Sequence, residues 1–584
     1  MKQLQNVSVV APGFYGLNTQ DSSVTLSTNF ALTADNCIID KYGRLGSRKG
    51  WTMETTDGST ELSGATVKFM MEHVNNDNSV VVLSGGNNKV FSGGVGAALT
   101  DITPSLYTIT ANNWKGASLY SHAMIVQDGF EPLVYNSTSS PVCQTMTDYT
   151  SLTQNYSTSY PRDVIAAWGR FWVHDGETVY WSTDIADTNF PAFYGGTSGT
   201  LNISAVLPNN TDTIVALAAH NNFLIIFCKN NIVLYQNADN PIAGDFTLSD
   251  VILGVGCVAR DSVQTTGNDI IFLSDTGIRS LGRLIQEKSL PMRDLTKNIK
   301  DDFIQTVRTE QGITEDMRLV RSAYSEQNSF YLISFPASDI VYCLDMRQAL
   351  EDGSARVTRW VDYAAGSFLR RRNRDLLVGK TNGIGLYTGY QDNGSSYILR
   401  YYSNHIDMQN PTMVKMLKRI KATVVGGNNQ EFIVKAGYDY QGTTFSYPFT
   451  IVTGNIAEYT DDEDNVTETD AKYVGYAEFE GYRDDYASLP GSPSDGDAYM
   501  TIDNNNVYQW DAGASAWNDI TSTWESTFTV VSSSEYSLGV LTDDISTSTG
   551  GAGNVIQIGF ETEISSQEFS VQRLDIFVKT GRII

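Results

Sequence analysis

The chain has 584 residues, of which 41% are hydrophobic, and a formal net charge of -26 at pH 7. This length exceeds what one hydrophobic core usually serves, so two or more domains are expected, and the hydrophobic fraction excludes general disorder. Such an acidic chain is also not expected to bind nucleic acid over a broad surface, because phosphates would be repelled, although DNA could pass along it without being held.

The cysteines and the hydropathy pattern indicate the compartment. Five cysteines are spread along the chain without a C-x-x-C pair, which predicts buried free thiols in a protein made in a reducing cytoplasm. The N-terminus has no apolar stretch long enough for a signal peptide. No window reaches the roughly 18 apolar residues of a membrane helix, so no membrane insertion is expected.

A repeated hairpin dominates the chain up to about residue 393. Its seven copies begin at Ser79, Ala123, Arg170, Phe223, Asp269, Phe330 and Asp375, with successive starts 44 to 61 residues apart. Repeats of this period built of strands predict a β-propeller with four-stranded blades. Six to eight blades are expected, depending on whether an N-terminal strand completes the last one. An array of β-sandwiches remains the alternative.

One segment within the repeats predicts a helix. In residues 294–308, the apolar residues Leu295, Ile299, Phe303 and Val307 recur every four positions, and Asp294 is a candidate N-cap. A helical insertion here would explain the 61-residue interval between two hairpins. The sequence therefore predicts a propeller over 1–393 with a helix near 294–308.

The pattern changes after about residue 393, where strands become longer and alternate cleanly between apolar and polar residues. This predicts a C-terminal antiparallel β-sandwich platform formed by 394–481 and 533–584. Between them, 482–532 is rich in turn residues and contains Trp510 and Trp517, which predicts a small inserted β module. The predicted fold class is thus all-β.

Motifs for catalysis or metal binding are weak. His174, beside Asp175, could act as a base, but this context is more typical of a polar residue in a turn. The histidines show neither an H-E-x-x-H spacing nor a neighbouring cysteine pair that would indicate zinc. We therefore predict no catalytic residue, no metal and no cofactor, and a protein that is not an enzyme.

Basic residues are scarce, and they cluster. On an acidic protein, such clusters can contact acidic surfaces of a neighbouring subunit or a few phosphates, and the simpler interpretation is a solvated surface. For the run at 370–372 we favour a contact, because adjacent arginines repel one another unless a negative group is near. The candidate contact residues are Arg44, Arg48, Lys49, Arg370, Arg371, Arg372, Lys415, Lys418 and Arg419.

The order of several segments resembles a known family. The N-terminal GLNTQDS and IIDKYGRLGSRKGW, the core segments AWGRFWVHDGETVYWSTDIADTNFPAF and FLIIFCKNNIVLYQN, and the C-terminal VIQIGFETEISSQEFSVQRLDIFVKTGRII carry the likeness. In this order they resemble the tail nozzle proteins, or tail tubular proteins B, of short-tailed bacteriophages (podoviruses), and the related DNA-stabilising hub proteins.

The resemblance implies a structural virion protein at the tail tip, assembled in the host cytoplasm. It implies a homohexameric ring that contacts a tail adaptor protein and a tail fibre or spike protein. It also implies that the ring retains packaged double-stranded DNA and conducts it through the lumen during ejection without sequence-specific binding. Two alternatives of other classes remain: a receptor- or glycan-binding tail spike, and a propeller glycosidase with a carboxylate pair.

Overall fold

The computed structural model describes most of the chain. It covers residues 5–581 other than 110–112, 157–158, 208–211, 243, 245, 268, 287–293, 314–316, 364, 409, 428–429, 441–444, 451–458, 461–465, 468–478, 502–503, 505, 521–537 and 545–551.

The N-terminal segment contains six strands and a short helix. They are β1 (Gln5–Val10), β2 (Gly16–Leu17), β3 (Phe30–Asp35), β4 (Cys37–Ile39), β5 (Leu45–Ser47), β6 (Trp51–Met53) and α1 (Ser59–Leu62). These strands do not form a sheet of their own. Five of them, β1, β2, β3, β5 and β6, pair with strands from later in the chain, and β4 pairs with β5.

Seven antiparallel meanders follow, which we number as blades one to seven. Blade one is β7 (Phe69–Val74), β8 (Val80–Gly86), β9 (Lys89–Gly93) and β10 (Leu99–Asp101). Blade two is β11 (Trp114–Leu119), β12 (His122–Gln127), β13 (Leu133–Tyr135) and β14 (Cys143–Thr145), followed by α2 (Met146–Thr150). Blade three is β15 (Asp163–Ala167), β16 (Arg170–His174), β17 (Thr178–Trp181) and β18 (Gly199–Asn202), and blade four is β19 (Ile214–His220), β20 (Phe223–Cys228), β21 (Asn231–Gln236) and β22 (Thr247–Leu253).

Among the described residues, blade five has three strands, and blades six and seven also pair with strands of the N-terminal segment. Blade five is β23 (Gln264–Thr265), β24 (Ile270–Ser274) and β25 (Gly277–Ser280), followed by α3 (Leu281–Gln286) and α4 (Lys300–Ile313). Blade six is β26 (Arg321–Ser325), β27 (Phe330–Phe335), β28 (Ile340–Asp345) and β29 (Arg356–Val361). Blade seven is β30 (Ser367–Arg370), β31 (Leu376–Lys380) and β32 (Gly383–Tyr387).

The seven blades close into a ring. The first strands of blades one to four, β7, β11, β15 and β19, lie side by side in that order. The turn at Arg260–Ser262 lies between β19 and β26, the first strand of blade six. Strand β26 contacts β30 of blade seven, and β30 contacts β7, which closes the circle. Strand β6 pairs with β32 and completes blade seven. The predicted β-propeller is confirmed, with seven blades in the described residues, and each of the seven hairpins read from the sequence is formed by the second and third strands of one blade.

Apolar side chains from adjacent blades form the cores between them. Trp172 and Val179 of blade three, for example, share one buried cluster with Leu224 and Ile226 of blade four. Because the middle strands of a blade are covered on both faces, their sequences are almost continuously apolar, as in FLIIFC. This packing between blades is what makes the short hairpins stable together although each alone would be marginal.

Helix α4 lies between blades five and six, where the sequence predicted a helical insertion. The four apolar residues Leu295, Ile299, Phe303 and Val307 are all buried in one cluster with blade six. The α-helix itself begins at Lys300, after a 3-10 turn. The carboxylate of Asp294 accepts hydrogen bonds from the backbone and hydroxyl of Thr296, so it stabilises this turn and does not cap the α-helix.

The C-terminal region adds the platform strands and an insertion. They are β33 (Tyr397–Ile406), β34 (Val414–Gly426), β35 (Glu431–Tyr438), β36 (Phe445–Thr450), β37 (Tyr459–Thr460), β38 (Val466–Thr467), β39 (Phe479–Arg483), β40 (Ala498–Thr501), β41 (Val507–Asp511), β42 (Ala516–Asp519), β43 (Leu538–Asp544), β44 (Ile556–Ile564) and β45 (Phe569–Gly581).

The platform is a sandwich of two sheets. One sheet has the order β4-β5-β45-β34-β43 with β1 on β45, and the other continues through β2-β3-β33-β44-β35-β36. Phe432 of the second sheet contacts Phe569 of the first, with ring centroids 5.8 Å apart, inside a shared buried cluster. The predicted β-sandwich platform is therefore present.

The boundary of the platform differs from the sequence prediction. We expected residues 1–393 to form the propeller, but strands β1 to β5 belong to the two platform sheets, one of which continues into blade six. Strand β29 of blade six runs parallel to β2 and β3, so one ten-stranded sheet passes from the propeller into the platform. The long-range partners of these N-terminal strands cannot be read from local patterns, which explains the difference.

The inserted module is a four-stranded sheet in the order β39-β40-β41-β42. Trp510 and Trp517 are directly opposite each other across β41 and β42, with ring centroids 5.3 Å apart. The module begins at Phe479, slightly before the expected residue 482, and residues 521–532 of the prediction lie outside the described residues.

Replacing Gly385 with alanine tests the closure of the ring. A Cβ at Gly385 would lie 2.6 Å from Trp51 on the closing strand β6, so Gly385→Ala should displace β6 and lower the free energy of unfolding by about 1–3 kcal/mol. Gly312→Ala is the matched control, because Gly312 in α4 has nothing within 4 Å and alanine favours the helix. Urea unfolding of both variants measures the effect, and equal stability of the two would contradict it.

Candidate functional site: the propeller axis and the basic clusters

The first basic cluster lies at the junction of propeller and platform. Arg48 is fully buried, and its guanidinium donates two hydrogen bonds, of 2.8 and 2.7 Å, to the carboxylate of Asp392 and a third to Asn36. The same guanidinium lies 3.9 Å from the ring centroid of Tyr397. Arg48 therefore joins parts of one chain, and its burial does not support the expected subunit or partner contact.

The neighbours of Arg48 are less buried. Arg44 stacks on Tyr42, with 4.3 Å to the ring centroid, and donates a hydrogen bond of 2.6 Å to Gln572. The backbone N–H of Lys49 donates to the hydroxyl of Tyr387 in blade seven. Both side chains are half-buried, so a partner contact by either remains a prediction.

A second buried cation, Lys380, lies at the same junction. Its ammonium donates to the carbonyl of Tyr363 and lies 3.9 Å from the centroid of that ring and 4.7 Å from the centroid of the Trp51 ring. Burial lowers the pKa of Lys380 to about 7. A cavity of about 500 Å³ is lined by Arg48, Lys380 and Asp392, among other residues.

The arginine run at 370–372 lies where the inner strand of blade seven ends. Arg370 forms an ion pair of 2.9 Å with Glu326 of blade six, and Arg371 forms one of 3.2 Å with Glu72 of blade one. The negative groups that the sequence argument required are therefore present within the chain. Arg372 donates from its backbone N–H to Glu72, and its side chain is exposed and accessible to a partner.

The third cluster lies on platform strand β34. Lys415 is buried and its ammonium donates to the carbonyl of Asn410, so the structure does not support the expected partner contact for this residue. Lys418 is half-buried and Arg419 is exposed. The strand has a bulge between Leu417 and Arg419, and the cluster is therefore divided between the interior and the surface.

The axis of the propeller contains a buried ion cluster that sequence reasoning missed. Asp261 accepts hydrogen bonds from Arg260 at 2.7 Å and Arg321 at 2.9 Å, and Lys115 lies 3.0 Å away. Burial acts to raise the pKa of Asp261, but the three cations hold it well below its ordinary value. The carboxylate is thus a fixed negative charge at the centre of the ring.

The two arginines of this cluster also bind backbone carbonyls at the beginning of several inner strands. Arg260 donates to the carbonyls of Trp114 in blade two and Arg162 before blade three, at 2.7 and 2.6 Å. Arg321 donates to the carbonyl of Lys68 before blade one at 3.0 Å. One ion cluster therefore links blades one, two, three, five and six.

A cavity of about 380 Å³ lies along the axis beside this cluster. It is lined by inner-strand residues of blades one, two, five, six and seven, including Glu72, Lys115, Asp261 and Arg321. The ion cluster fills the end of the axis where the inner strands begin. We expect this plug to make the propeller a stiff block, since a buried network with satisfied hydrogen bonds favours one arrangement of the blades.

His174 and the five cysteines, which the sequence analysis considered, are all buried. His174 lies in strand β16, not in a turn, and it is buried, so that burial lowers its pKa to about 4. The five cysteines are buried free thiols, as predicted. Within the described part of the chain, no group of three histidine, cysteine, aspartate or glutamate side chains is arranged to hold a metal ion, and no helix is long and apolar enough to cross a membrane.

Comparison with known proteins adds a distant likeness. No protein-family model matches the chain, and no curated protein sequence does. Among solved structures, the chain is similar to YCF48 bound to a D1 peptide (10% identity, TM-score 0.34, covering 58% of this chain and 96% of that one). It is also similar to the WD40 domain of Neurospora crassa Pan2 (10%, 0.34, 58% and 95%).

A further similar structure is the extracellular domain of the putative one-component system BT4673 from B. thetaiotaomicron, with 10% identity and a TM-score of 0.30. This match covers 89% of the present chain and 54% of that domain. At such TM-scores, the comparisons carry no argument about function, and the assignment of the propeller rests on the order and closure of the strands.

Replacing Asp261 with asparagine tests the axial cluster. The variant removes the carboxylate that pairs with the buried Arg260 and Arg321, and breaking a buried pair in this way typically costs about 3–5 kcal/mol. Asp275→Asn, at an exposed position of the same blade, is the control. Urea unfolding should show a large loss for Asp261→Asn only; similar values for the two would contradict a structural role of the cluster.

Lys380→Met tests the buried lysine through the pH dependence of stability. The pKa of Lys380 is about 7 in the folded chain, against an ordinary value of about 10.4 in the unfolded chain. Between these values the unfolded chain binds more protons, so the free energy of unfolding should rise with pH. From about pH 7 to about pH 9, the rise should be smaller in Lys380→Met than in wild type, whereas Lys297→Met, at an exposed site, should follow wild type.

Proposed function

We propose that the chain is a structural virion protein, the tail nozzle of a short-tailed bacteriophage. In this proposal six copies form a ring at the tail tip, next to a tail adaptor protein, and a tail fibre or spike docks on the outside. The ring retains packaged double-stranded DNA and conducts it during ejection. The resemblance of the N-terminal, core and C-terminal segments to the nozzle family is the origin of this proposal, and the fold agrees with it.

The observation that carries the proposal is the distribution of charged side chains between internal ion pairs and the surface. Acidic residues outnumber basic ones, 66 to 40. Several of the few basic side chains form ion pairs within the chain, as in Arg48–Asp392, Arg371–Glu72 and Arg359–Asp35. Carboxylates remain at the surface, among them Asp57, Asp148, Glu177, Asp239, Asp275 and Glu351.

Such a surface suits a wall past which DNA must move. Fixed carboxylates repel phosphates within roughly a Debye length, about 8 Å at physiological salt, so DNA would slide without adhering. A wall that retains DNA under pressure must also be stiff. The ten-stranded sheet between propeller and platform, together with the ion cluster that links five blades, supports that mechanical role.

A glycan-binding tail spike is the second candidate, and the inserted module favours it. Trp510 and Trp517 are half-buried neighbours, and Tyr486 is 50% exposed beside Tyr508, with ring centroids 4.9 Å apart. Aromatic side chains at a surface can stack on sugar rings. Because these residues lie in the inserted sheet, glycan binding would be a property of the module and not of the propeller.

Native mass spectrometry of the purified chain, alone and with the tail proteins encoded beside it, distinguishes these candidates. The nozzle proposal predicts a closed species of six copies that neither binds glycans on an array nor cleaves them. A trimer that binds a glycan would support the spike instead, and that binding should be lost in Trp510→Ala and Trp517→Ala but kept in Tyr194→Ala, at an exposed position of blade three. Turnover of an oligosaccharide would contradict both.

A further inference from the structure

A buried lysine lines the cavity at the junction of propeller and platform. Lys380, the last residue of β31, is 4% exposed and contributes to the wall of the cavity of about 500 Å³ that also contains Arg48 and Asp392. The rim of this cavity includes exposed residues, namely Thr381, Ser395, Ser396 and Ile398. A small molecule can therefore enter from solvent and reach the space beside Lys380.

The ammonium of Lys380 has no counterion of its own. Among the described residues, no carboxylate forms an ion pair with it, and Asp392 in the same cavity accepts two hydrogen bonds from Arg48. The contacts of the ammonium are the carbonyl of Tyr363 and the faces of the Tyr363 and Trp51 rings. A buried cation without a paired carboxylate is costly, and such a group loses its proton more readily than one in water.

The charges around Lys380 do not offset its burial. Asp392 and Asp339 favour the protonated form, and Arg48 opposes it. Burial outweighs all three and lowers the pKa of Lys380 to about 7. At pH 7 the share of chains with a neutral amine at this position is therefore roughly a thousandfold larger than for an ordinary lysine.

The rest of the cavity wall offers apolar surface next to this amine. The rings of Trp51, Tyr363 and Tyr397 belong to the lining. Both tyrosines keep their protons near neutral pH, because burial raises the pKa of each hydroxyl. The remaining charged residues of the lining are Asp362, which is exposed, and Arg400, which forms an ion pair with Glu561. A neutral molecule with a short alkyl chain suits such a wall better than a charged one.

We propose that Lys380 is a covalent binding site for a small aldehyde or ketone. The amine nitrogen attacks the carbonyl carbon, the carbonyl oxygen leaves as water with the two amine protons, and a C=N double bond then joins the ligand to the lysine. A lysine removed from water in an apolar pocket is activated for this reaction. The imine is neutral, so it suits a position where burial disfavours charge. The site is independent of the proposed nozzle function.

Labelling of the folded chain with propanal tests the proposal. Sodium borohydride then adds hydride to the carbon of each imine, and peptide mass spectrometry locates the resulting propyl-lysines. At pH 7, Lys380 should be labelled at least about tenfold faster than the exposed Lys41, Lys229 and Lys297. This ratio should fall from about pH 7 to about pH 10, because the exposed lysines lose their protons in that range.

Three controls separate the cavity from burial alone. Lys415 is also buried and also donates to a backbone carbonyl, but it does not line this cavity, so it should stay unlabelled. An aldehyde-bearing dextran, which is too large to enter, should label the exposed lysines and not Lys380. The variant K380R keeps a cation but cannot form an imine, and it should lose the label at this position only, with an unchanged circular dichroism spectrum.

Three results would overturn the inference. One is labelling of Lys380 at pH 7 that is no faster than labelling of the exposed lysines. Another is equal labelling of Lys380 and Lys415, which would show that both react only when the chain opens. The third is labelling of Lys380 by the dextran aldehyde, which would place the amine at the surface. None of these results bears on ring formation, so the nozzle proposal is tested separately.

Discussion

Backbone hydrogen bonds between β6 and β32 join the beginning of the propeller to its end. Strands β4 and β5, which come just before β6, pair within the platform sheet that contains β45. The N-terminal segment therefore belongs to both domains, and the ring cannot open at this point without disturbing the sandwich. The parallel pairing of β2 and β3 with β29 adds a second connection, so that propeller and platform act as one body.

Charged side chains have different roles in the interior of the molecule and at its surface. Inside, arginines such as Arg48, Arg260 and Arg321 connect distant segments through carboxylates and carbonyls. At the surface, carboxylates are in excess, which would keep a polyanion from adhering. Because a buried arginine remains charged at any ordinary pH, these internal connections should persist under conditions in which surface ion pairs are screened.

Local patterns predicted the parts of the fold that depend on local pairing. The seven hairpins and the buried face of α4 follow from strand and helix periodicity, and the structure confirms them. The same reasoning failed for Arg48, because its partner Asp392 is distant in sequence and meets it only through the closure of the ring. For Arg371, repulsion correctly indicated a nearby negative group, but that group is Glu72 of the same chain.

The axial cluster could not be derived in advance for the same physical reason. Arg260 and Asp261 are adjacent in sequence, yet their function depends on inner strands that the ring brings together from five blades. An adjacent Arg-Asp pair is common at surfaces. Only the three apolar residues before it, Cys-Val-Ala at 257–259, indicate that this pair is buried.

The central claim is that copies of this acidic, stiff chain form the wall of a DNA conduit, and a cryo-electron microscopy reconstruction of a virion tail containing the chain tests it most directly. The account predicts six copies around an open lumen at the tail tip, with carboxylates facing the lumen and DNA density without ordered protein contacts. A reconstruction that places the chain in a peripheral trimer, or that shows a lumen lined by cations gripping the DNA, would contradict it.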